Sequence, residues 1–439
     1  MKHGIVIFVC FFLLGNNSFS QRFVEQTFDE IQLDTSIVYG YADWWDDSNS
    51  GFGEYDSVNI TLDLYQPPDT DTMSKRPLVI ALFGGAFMKG SSERPDIVAW
   101  CDSLAHYGYV AAAINYRLGF NPAGSGGTTG PDVGLKRAAW RAIQDGRAAV
   151  RYFKAMHDTY NIDTTQIFLL GNSAGAITAL HVGYMNPDDW LPEAGEYLYG
   201  TSANNVNLGC LDCCTSLDGH WDHSVDVAGI ISLWGATLDL AYFEEDQNIP
   251  VMLVHGTDDG IVPYDSGSPF NMGTGWDVTF TTHGSLPIHQ RLDSIGTDHE
   301  FYPYQGEGHT LYSCGDFSTE TFEKDSFPCE HWEPVFNDGI DFLAEHNIYA
   351  DGPVSIYEKM KMNATIYPNP ATQSVNIVFD NMPEKVCNIK LYDITGKQVK
   401  SVSVKSEQTK LDISGLSGGL YLLKIEQGMH HLKQKLIIK

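Results

Sequence analysis

The sequence predicts an α/β protein with a mostly parallel central sheet and flanking helices, followed by a smaller all-β segment. Apolar runs of strand length alternate with helix-like stretches from about residue 55 to residue 350, which is typical of parallel strands joined by crossover helices. From residue 365 onward, short strand-like runs are separated by Gly- and Asn-bearing turns. The chain has 439 residues, which is long for one domain and fits a division into two parts.

The predicted strands of the larger part are short apolar runs. They cover residues 60–65, 78–83, 110–116, 167–171, 227–234, 250–255 and 301–305. Between residues 132 and 156, apolar residues recur at helical spacing without an intervening proline, which predicts a long helix. Residues 186–224 lack clear periodicity, so we expect a lid or insertion there.

The composition excludes two classes of function. Hydrophobic residues make up 43% of the chain and aromatic residues 12%, which is enough for a packed core and argues against disorder. The formal net charge is −29, and phosphate backbones are bound by clustered Lys and Arg. After the first residues, no stretch of about 18 uncharged apolar residues occurs that would span a bilayer. We therefore expect no nucleic-acid partner and no transmembrane anchor.

The first residues are typical of an export signal. Lys2 provides a positive charge, residues 5–14 form an apolar run, and residues 18–20 (SFS) offer small residues at a cleavage site. We expect residues 1–20 to be a signal peptide and the mature chain to begin near Gln21.

Export favours disulfides, because the compartments outside the cytoplasm are oxidising. Seven cysteines follow the predicted cleavage site: Cys101, Cys210, Cys213, Cys214, Cys314, Cys329 and Cys387. An odd number leaves at least one thiol unpaired or bonded to another molecule. Cys314 and Cys329 bracket a short loop, and we expect them to pair.

The cysteine cluster at residues 210–214 is followed by His220 and His223, which superficially resembles a zinc site. Its spacing fits no standard zinc pattern. We therefore expect one or two disulfides that hold the insertion, with the two histidines exposed nearby.

The composition changes after residue 347. Residues 349–364 form a weakly patterned linker, and residues 365–439 hold ten Lys against six acidic residues in an otherwise acidic chain. Such a charge asymmetry supports a domain boundary. We expect a catalytic domain at residues 21–348 and a separate domain at residues 365–439.

The C-terminal segment contains three motifs in a fixed order. They are residues 367–370 (YPNP), residues 391–393 (LYD) with 396–397 (GK), and residues 419–425 (GLYLLKI). The combination resembles the C-terminal sorting domain of type IX secretion cargo. The resemblance implies a small β-sandwich that the type IX secretion machinery recognises, and a protein that reaches the cell surface or the medium through the periplasm. A β-sandwich binding module is the alternative.

Residues 171–175 read Gly-Asn-Ser-Ala-Gly, after an apolar strand and before a helix-like stretch. This G-x-S-x-G pattern predicts a sharp turn that holds Ser173 at its tip in strained backbone geometry. The N-terminus of the following helix favours negative charge that develops on a substrate oxygen. Ser173 is therefore the predicted nucleophile.

A second glycine-rich motif, residues 83–87 (FGGAF), follows the strand predicted at residues 78–83. Glycine lets backbone N–H groups point at a substrate oxygen without intervening side chains. The predicted oxyanion-hole donors are the backbone amides of Gly85, Ala86 and Ala174.

These motifs, with residues 113–119 (AINYRLG) and 161–163 (NID), resemble the carboxylesterases and their hormone-sensitive-lipase-like relatives over about residues 55–345. The resemblance implies the α/β-hydrolase fold and hydrolysis of carboxylic esters through an acyl-enzyme, with no metal or organic cofactor. Phe83 and Ala86 depart from the His-Gly-Gly-Gly motif of such esterases.

In this fold the catalytic acid and histidine follow the serine in that order. Residues 255–263 (HGTDDGIVP) end a predicted strand, and the motif of the fold assigns the acid to Asp259. Asp258 and Asp239 remain alternatives. His309 follows the strand predicted at residues 301–305 and a glycine, and it is the predicted base.

The sequence leaves the ester itself open, and an acetyl, feruloyl, lipid or polyester bond all fit an exported esterase. Two other functions remain. One is a secreted oligopeptidase of the same fold, and the other is a surface binding protein without enzymatic activity.

Overall fold

A computed structural model describes most of the chain. It covers residues 22–45, 55–120, 122, 130–189, 191–195, 208–212, 215, 220–270, 276, 278–311, 331–350, 364–379, 387–393, 397–427 and 430–439. The predicted signal peptide, most of the linker and the predicted Cys314–Cys329 pair lie outside these ranges. Within them, no helix combines the length and the apolar character needed to cross a membrane.

In its described residues, the larger part contains ten strands. In chain order they are β1 (Gln32–Trp45), β2 (Tyr55–Gln66), β3 (Arg76–Leu82), β4 (Val110–Ile114), β5 (Ile162–Asn172), β6 (Gly229–Leu233), β7 (Val251–Gly256), β8 (Ser266–Gly267), β9 (Thr282–His283) and β10 (His299–Tyr304). Eight of them form one sheet in the order β1-β2-β4-β3-β5-β6-β7-β10, while β8 and β9 pair with each other. The six neighbouring strands β4, β3, β5, β6, β7 and β10 are parallel to one another. Strands β1 and β2 are antiparallel to the strands with which they pair.

Helices connect these strands. They are α1 (Pro95–Tyr107), α2 (Pro131–Ala155), α3 (His157–Tyr160), α4 (Ala174–Tyr184), α5 (Ser285–Ile295) and α6 (Trp332–His346). The long predicted helix is α2, and a proline in its first turn fits the unpaired N–H groups of a helix start. Trp100 of α1 packs on Trp332 and Phe336 of α6, with ring centroids 5.4 and 5.0 Å apart.

The predicted fold class, α/β with a mostly parallel sheet and flanking helices, is confirmed. Every residue of β3, β4, β6 and β7 is buried, as expected for parallel strands that are covered on both faces. Each of the seven predicted strands corresponds to a strand of the sheet. The edge strand β1 was not predicted, because several residues along it are exposed and no continuous apolar run marks it.

Parts of the predicted insertion pack against α2. Arg147 and Arg151, both buried on α2, bind the carboxylate of Asp212 at 2.8 and 2.5 Å, and Lys136 binds Glu193 at 2.8 Å. Cys210 is disulfide-bonded, while Cys213 and Cys214 lie outside the described residues. These ion pairs tie the described pieces of the insertion to the catalytic part.

The C-terminal part is a β-sandwich with its own core. Its strands are β11 (Ala364–Tyr367), β12 (Ser374–Phe379), β13 (Cys387–Asp393), β14 (Gln398–Val404), β15 (Gln408–Asp412), β16 (Gly419–Gln427) and β17 (His430–Ile438). One sheet has the order β11-β12-β15 and the other β14-β13-β16-β17. Side chains from both sheets, such as Val375, Ile377, Leu391 and Leu423, share one buried cluster. The predicted small β-sandwich is confirmed.

Lysine side chains of the sandwich contact the larger part. The Nζ atom of Lys424 lies 3.6 Å from a carboxylate oxygen of Asp338 and 4.9 Å from the ring centre of Tyr302. Lys435 lies 3.2 Å from Asp293 on α5. The two parts therefore meet through basic side chains on one side and acidic side chains on the other.

Candidate active site

Ser173 lies at the turn between β5 and α4. Its backbone has φ 51° and ψ −120°, a conformation that side-chain-bearing residues rarely adopt. The turn requires glycine on both sides. A Cβ atom on Gly171 would lie 2.3 Å from the backbone of Gly175, and one on Gly175 would lie 2.1 Å from the carbonyl oxygen of Leu82. The G-x-S-x-G motif thus forms the sharp strand-to-helix turn that the sequence predicts.

His309 follows β10 and reaches the serine. Its Nε2 atom lies 2.9 Å from the Oγ of Ser173, and its Nδ1 atom lies 2.6 Å from the Oδ2 of Asp259. The indole of Trp234 contacts the imidazole edge to face, with ring centroids 6.3 Å apart. The three predicted residues Ser173, His309 and Asp259 therefore form one continuous hydrogen-bonded series.

Asp259 lies in the loop after β7, and both of its oxygens accept hydrogen bonds. The backbone N–H groups of Ile261 and Val262 donate to Oδ1 at 2.8 and 3.0 Å. Burial would raise the pKa of Asp259, but the charge of His309 and the hydrogen bonds from His255 and His309 hold the pKa well below its ordinary value. The carboxylate stays ionised beside the imidazole.

The two alternative acids have other partners. The exposed Asp258 carboxylate accepts from the hydroxyl of Thr257, and Asp239 accepts from the backbone N–H of Ala241 at the start of a short 3₁₀ turn. Asp259 bonds His309, so the geometry favours the assignment made from the sequence motif.

His255, at the end of β7, is a second histidine on the same carboxylate. It is fully buried, and its Nε2 atom lies 3.1 Å from the Oδ2 of Asp259. Its Nδ1 atom lies 2.9 Å from the Oγ of Ser285, the first residue of α5. This contact with the acid was not predicted from the sequence. The position of His255 four residues before Asp259 was the available signal.

The glycine-rich loop after β3 lies against the nucleophile. A Cβ atom on Gly84 would lie 3.0 Å from the Cβ of Ser173. Gly85 and Ala86 have φ values of 135° and 56°, so the loop turns in the left-handed region that favours glycine. The backbone at the start of this loop therefore lies beside Ser173.

Phe83 stands at the position of the histidine in the His-Gly-Gly-Gly motif, and an aromatic stack holds it. Its ring lies on Tyr116 with centroids 4.2 Å apart and planes at 13°. The hydroxyl of Tyr116 also donates to the carbonyl oxygen of Phe83 at 2.6 Å. Tyr116 thus fixes the start of the loop without a histidine.

A cavity of about 70 Å³ opens beside Ser173. Ala86 and Ala174 line it, and most of its wall is apolar, including Phe87, Leu135, Ile177, Leu238, Phe270 and Phe280. The wall also contains His181, whose Nδ1 donates to the carbonyl oxygen of Ile177 and whose Nε2 accepts from the N–H of Leu238. Burial lowers the pKa of His181 to about 4, so its ring is neutral and satisfied within the protein.

Comparison with known proteins finds two family models that each match a part of the chain. Residues 62–241 match the BD-FAE family model, and residues 365–439 match the secretion system C-terminal sorting domain. The resemblance to carboxylesterases is confirmed. The match at residues 365–439 likewise confirms the sorting domain, which directs this chain through type IX secretion to the cell surface or the medium.

Curated relatives match a shorter stretch. Carboxylesterase 3B of Mus musculus is 30% identical over 139 residues, or 29% of this chain and 22% of that protein. Lipase 5 of Diutina rugosa is 25% identical over 123 residues, or 28% of this chain and 22% of that protein. The chain thus spans about a fifth of the length of these relatives. A solved structure, esterase Est2 of Thermogutta terrifontis with propionate bound, has a TM-score of 0.44 and 18% identity over 67% of this chain and 92% of that chain.

Proposed function

We propose that this protein is an exported serine esterase that hydrolyses carboxylic ester bonds. The observation that carries the proposal is the hydrogen-bonded series of Ser173, His309 and Asp259 beside an apolar cavity. The similarity of residues 62–241 to an esterase family model and to curated carboxylesterases and lipases supports the same activity.

The proposed reaction begins with a proton transfer. The Nε2 atom of His309 takes the hydroxyl proton of Ser173 while the Oγ of Ser173 attacks the ester carbonyl carbon. A tetrahedral oxyanion forms. His309 then gives this proton to the leaving alcohol oxygen, and the ester C–O bond breaks to leave an acyl-enzyme. A water molecule then attacks the acyl carbon while His309 accepts its proton. His309 returns this proton to the Oγ of Ser173, and the carboxylic acid is released. Asp259 accepts the Nδ1–H of His309, which orients the ring and stabilises its protonated form.

The proposed oxyanion hole consists of the backbone amides of Gly85, Ala86 and Ala174. Ala174 opens α4, where the helix dipole favours negative charge. Ala86 and Ala174 line the cavity with Ser173, which supports a shared position for the substrate oxygen. Backbone donors that are fixed before reaction stabilise the oxyanion without reorganisation.

The cavity wall favours an ester with an apolar group near the scissile bond. A charged group against these apolar side chains would lose its hydration, which costs free energy. Of the ionisable groups in the wall, His181 is neutral and internally bonded, and Lys136 is paired with Glu193. We therefore expect aliphatic and aromatic acyl esters to be substrates.

We also propose the domain division made from the sequence. Residues 21–348 would form the catalytic domain, with a lid or insertion at residues 186–224, and residues 349–364 would link it to the sorting domain at residues 365–439. Two separate buried clusters support this division. The partner of the second domain is the type IX secretion machinery.

A panel of p-nitrophenyl esters of increasing acyl length, with aminoacyl nitroanilides alongside, tests the activity. The wild-type protein should hydrolyse the esters, and Ser173→Ala should lose about a millionfold in kcat while keeping its circular dichroism spectrum. Hydrolysis of the nitroanilides alone would indicate an oligopeptidase. Hydrolysis of neither would indicate a binding protein.

A further inference from the structure

A cluster of metal-ligand side chains lies on α5 and the start of β10, apart from the triad. His289 and Asp293 are four residues apart on α5, and His299 is the first residue of β10. One ligand atom from each of the three lies within 4.8 Å of the others. The Nδ1 of His289 lies 2.7 Å from the Nε2 of His299, and the Nε2 of His289 lies 3.7 Å from a carboxylate oxygen of Asp293.

Neighbouring groups fix both rings. The Nδ1 of His299 lies 2.9 Å from the carbonyl oxygen of Thr297. A carbonyl can only accept, so Nδ1 carries the hydrogen and Nε2 keeps its lone pair toward His289. The His289 ring stacks on Phe301 with centroids 4.3 Å apart and planes at 12°. A histidine whose far nitrogen donates to a carbonyl has the arrangement of a metal-bound histidine.

The cluster is open to solvent on one side. The side chains of His289 and Asp293 are 19% and 35% exposed. The Nζ of Lys435 in the sorting domain lies 3.2 Å from the Oδ1 of Asp293, so an ion would compete with this lysine for the carboxylate. The partly exposed side chains can be reached by an ion from solvent.

We propose that His289, Asp293 and His299 bind a divalent transition metal of the zinc class. Two imidazoles and one carboxylate are ligands that zinc binds at about 2.0–2.2 Å in tetrahedral geometry. Such geometry separates the donor atoms by about 3.3 Å, which is within the spread of the three side chains. Nitrogen ligands disfavour calcium and magnesium, which take oxygen.

Binding would replace the hydrogen bond between the two histidines. The hydrogen on the Nδ1 of His289 would move to its Nε2, and the lone pairs of His289 Nδ1 and His299 Nε2 would bind the ion without net release of a proton. The fourth position would hold water. The ion would join α5 to β10, the elements that carry Ser285 beside His255 and lead to the loop of His309. It would stabilise these elements without contacting the triad.

Zinc titration of the full-length protein by calorimetry tests this site. Three separate variants, His289→Gln, Asp293→Asn and His299→Gln, should each lose one bound zinc per chain or bind it at least about tenfold more weakly. Calcium or magnesium should not compete. Hydrolysis of p-nitrophenyl esters and the circular dichroism spectrum should remain those of the wild type, which shows that the variants fold.

A matched control is His106→Gln. His106 and Asp102 form a pair of the same four-residue spacing on α1, 3.5 Å apart, but in the described residues no second histidine joins them as His299 joins His289. Its zinc binding should equal that of the wild type. Lys435→Gln should leave zinc binding unchanged or tighten it by up to about fivefold, since it removes a competing cation worth about 0.2–1 kcal/mol.

The proposal is overturned if the wild type and the His299→Gln variant bind the same number of zinc ions with the same affinity. It is also overturned if His106→Gln weakens binding as much as His299→Gln does, or if Lys435→Gln weakens it. None of these outcomes depends on whether the protein hydrolyses esters.

Discussion

The two parts of the chain bury their strands in different ways. In the catalytic part, β3, β4, β6 and β7 are buried along their whole length. In the sorting domain, β12 alternates between buried and partly exposed residues, because each sheet of a sandwich faces the core on one side only. The catalytic part buries both faces of its central strands, whereas each sheet of the sandwich buries one face.

This difference determines where chemistry can reside. Strands that are covered on both faces leave only their ends for polar groups. Ser173, Asp259 and His309 follow the carboxyl ends of β5, β7 and β10, which is where parallel sheets bind ligands. The sandwich carries lysines such as Lys424 and Lys435 on its strands, and both contact acidic side chains of the larger part.

Replacement of Asp259, the proposed catalytic acid, should give the largest effect, because this residue follows the carboxyl end of a buried strand. Asp259→Asn should lower kcat by about ten-thousandfold, since the amide stabilises the wrong tautomer of His309. The exposed neighbour Asp258→Asn is the matched control and should keep wild-type kcat. Steady-state kinetics on one p-nitrophenyl ester compares them, and the reverse ranking would move the acid by one residue.

The His255→Gln variant tests a residue that contacts Asp259. The variant removes a donor to the buried Asp259 carboxylate, and a hydrogen bond to a charged group contributes about 1.5–3 kcal/mol to stability. Chemical denaturation should therefore show a loss of this size, together with a lower kcat and an unchanged KM. His283→Gln, which removes a histidine bonded to Ser266 at a partly exposed position, should change neither. Unaltered stability and kcat in His255→Gln would show that the acid needs no second histidine.

Acid should destabilise the catalytic part more than the sandwich. Burial raises the pKa of Asp71, but hydrogen bonds from Arg22 and Arg76 lower it to about 2. The unfolded chain therefore takes up the proton first as the pH falls, and stability present above about pH 4 is lost toward pH 2.

Asp71→Asn should be less stable than the wild type at pH 7, and the difference should shrink from pH 4 to pH 2. Asp412 in the sandwich also has a lowered pKa, because Ser414 donates to it, but it is exposed. Asp412→Asn should show no such pH-dependent difference. Urea unfolding at several pH values measures both. A constant difference across this range for Asp71→Asn would contradict the ion-pair account.

Removal of the sorting domain should have the smallest effect on catalysis. A chain that ends at residue 348 keeps the triad and the cavity, and it should retain wild-type kcat/KM on p-nitrophenyl esters. In its native host the same truncation should leave the protein in the periplasm. Loss of activity in vitro, or normal secretion, would make the C-terminal part a component of the catalytic unit or a substrate-binding module.

Features that depend on neighbouring residues in the sequence could be predicted, whereas features that depend on contacts between distant residues could not. The strands of the buried sheet stand out as continuous apolar runs, and Ser173 stands out because only glycine fits at residues 171 and 175. The bond between His255 and Ser285 joins residues 30 positions apart. The support of Phe83 by Tyr116 spans 33 positions, and neither pair carries a motif.

The cluster of His289, Asp293 and His299 depends partly on local sequence and partly on distant contacts. The spacing of His289 and Asp293 places them on one face of a helix, which the sequence alone could indicate. The turn after α5 then returns His299 to the same place, and only the structure brings the two histidines within 2.7 Å.

Covalent labelling tests most directly whether Ser173 is the activated nucleophile. A fluorophosphonate probe reacts with serine hydroxyls that a neighbouring base activates. Peptide mapping by mass spectrometry should find one adduct per chain, on Ser173, and labelling should be lost in Ser173→Ala and strongly slowed in Asp259→Asn. An unlabelled wild-type protein, or an adduct on another serine that persists in Ser173→Ala, would contradict the account.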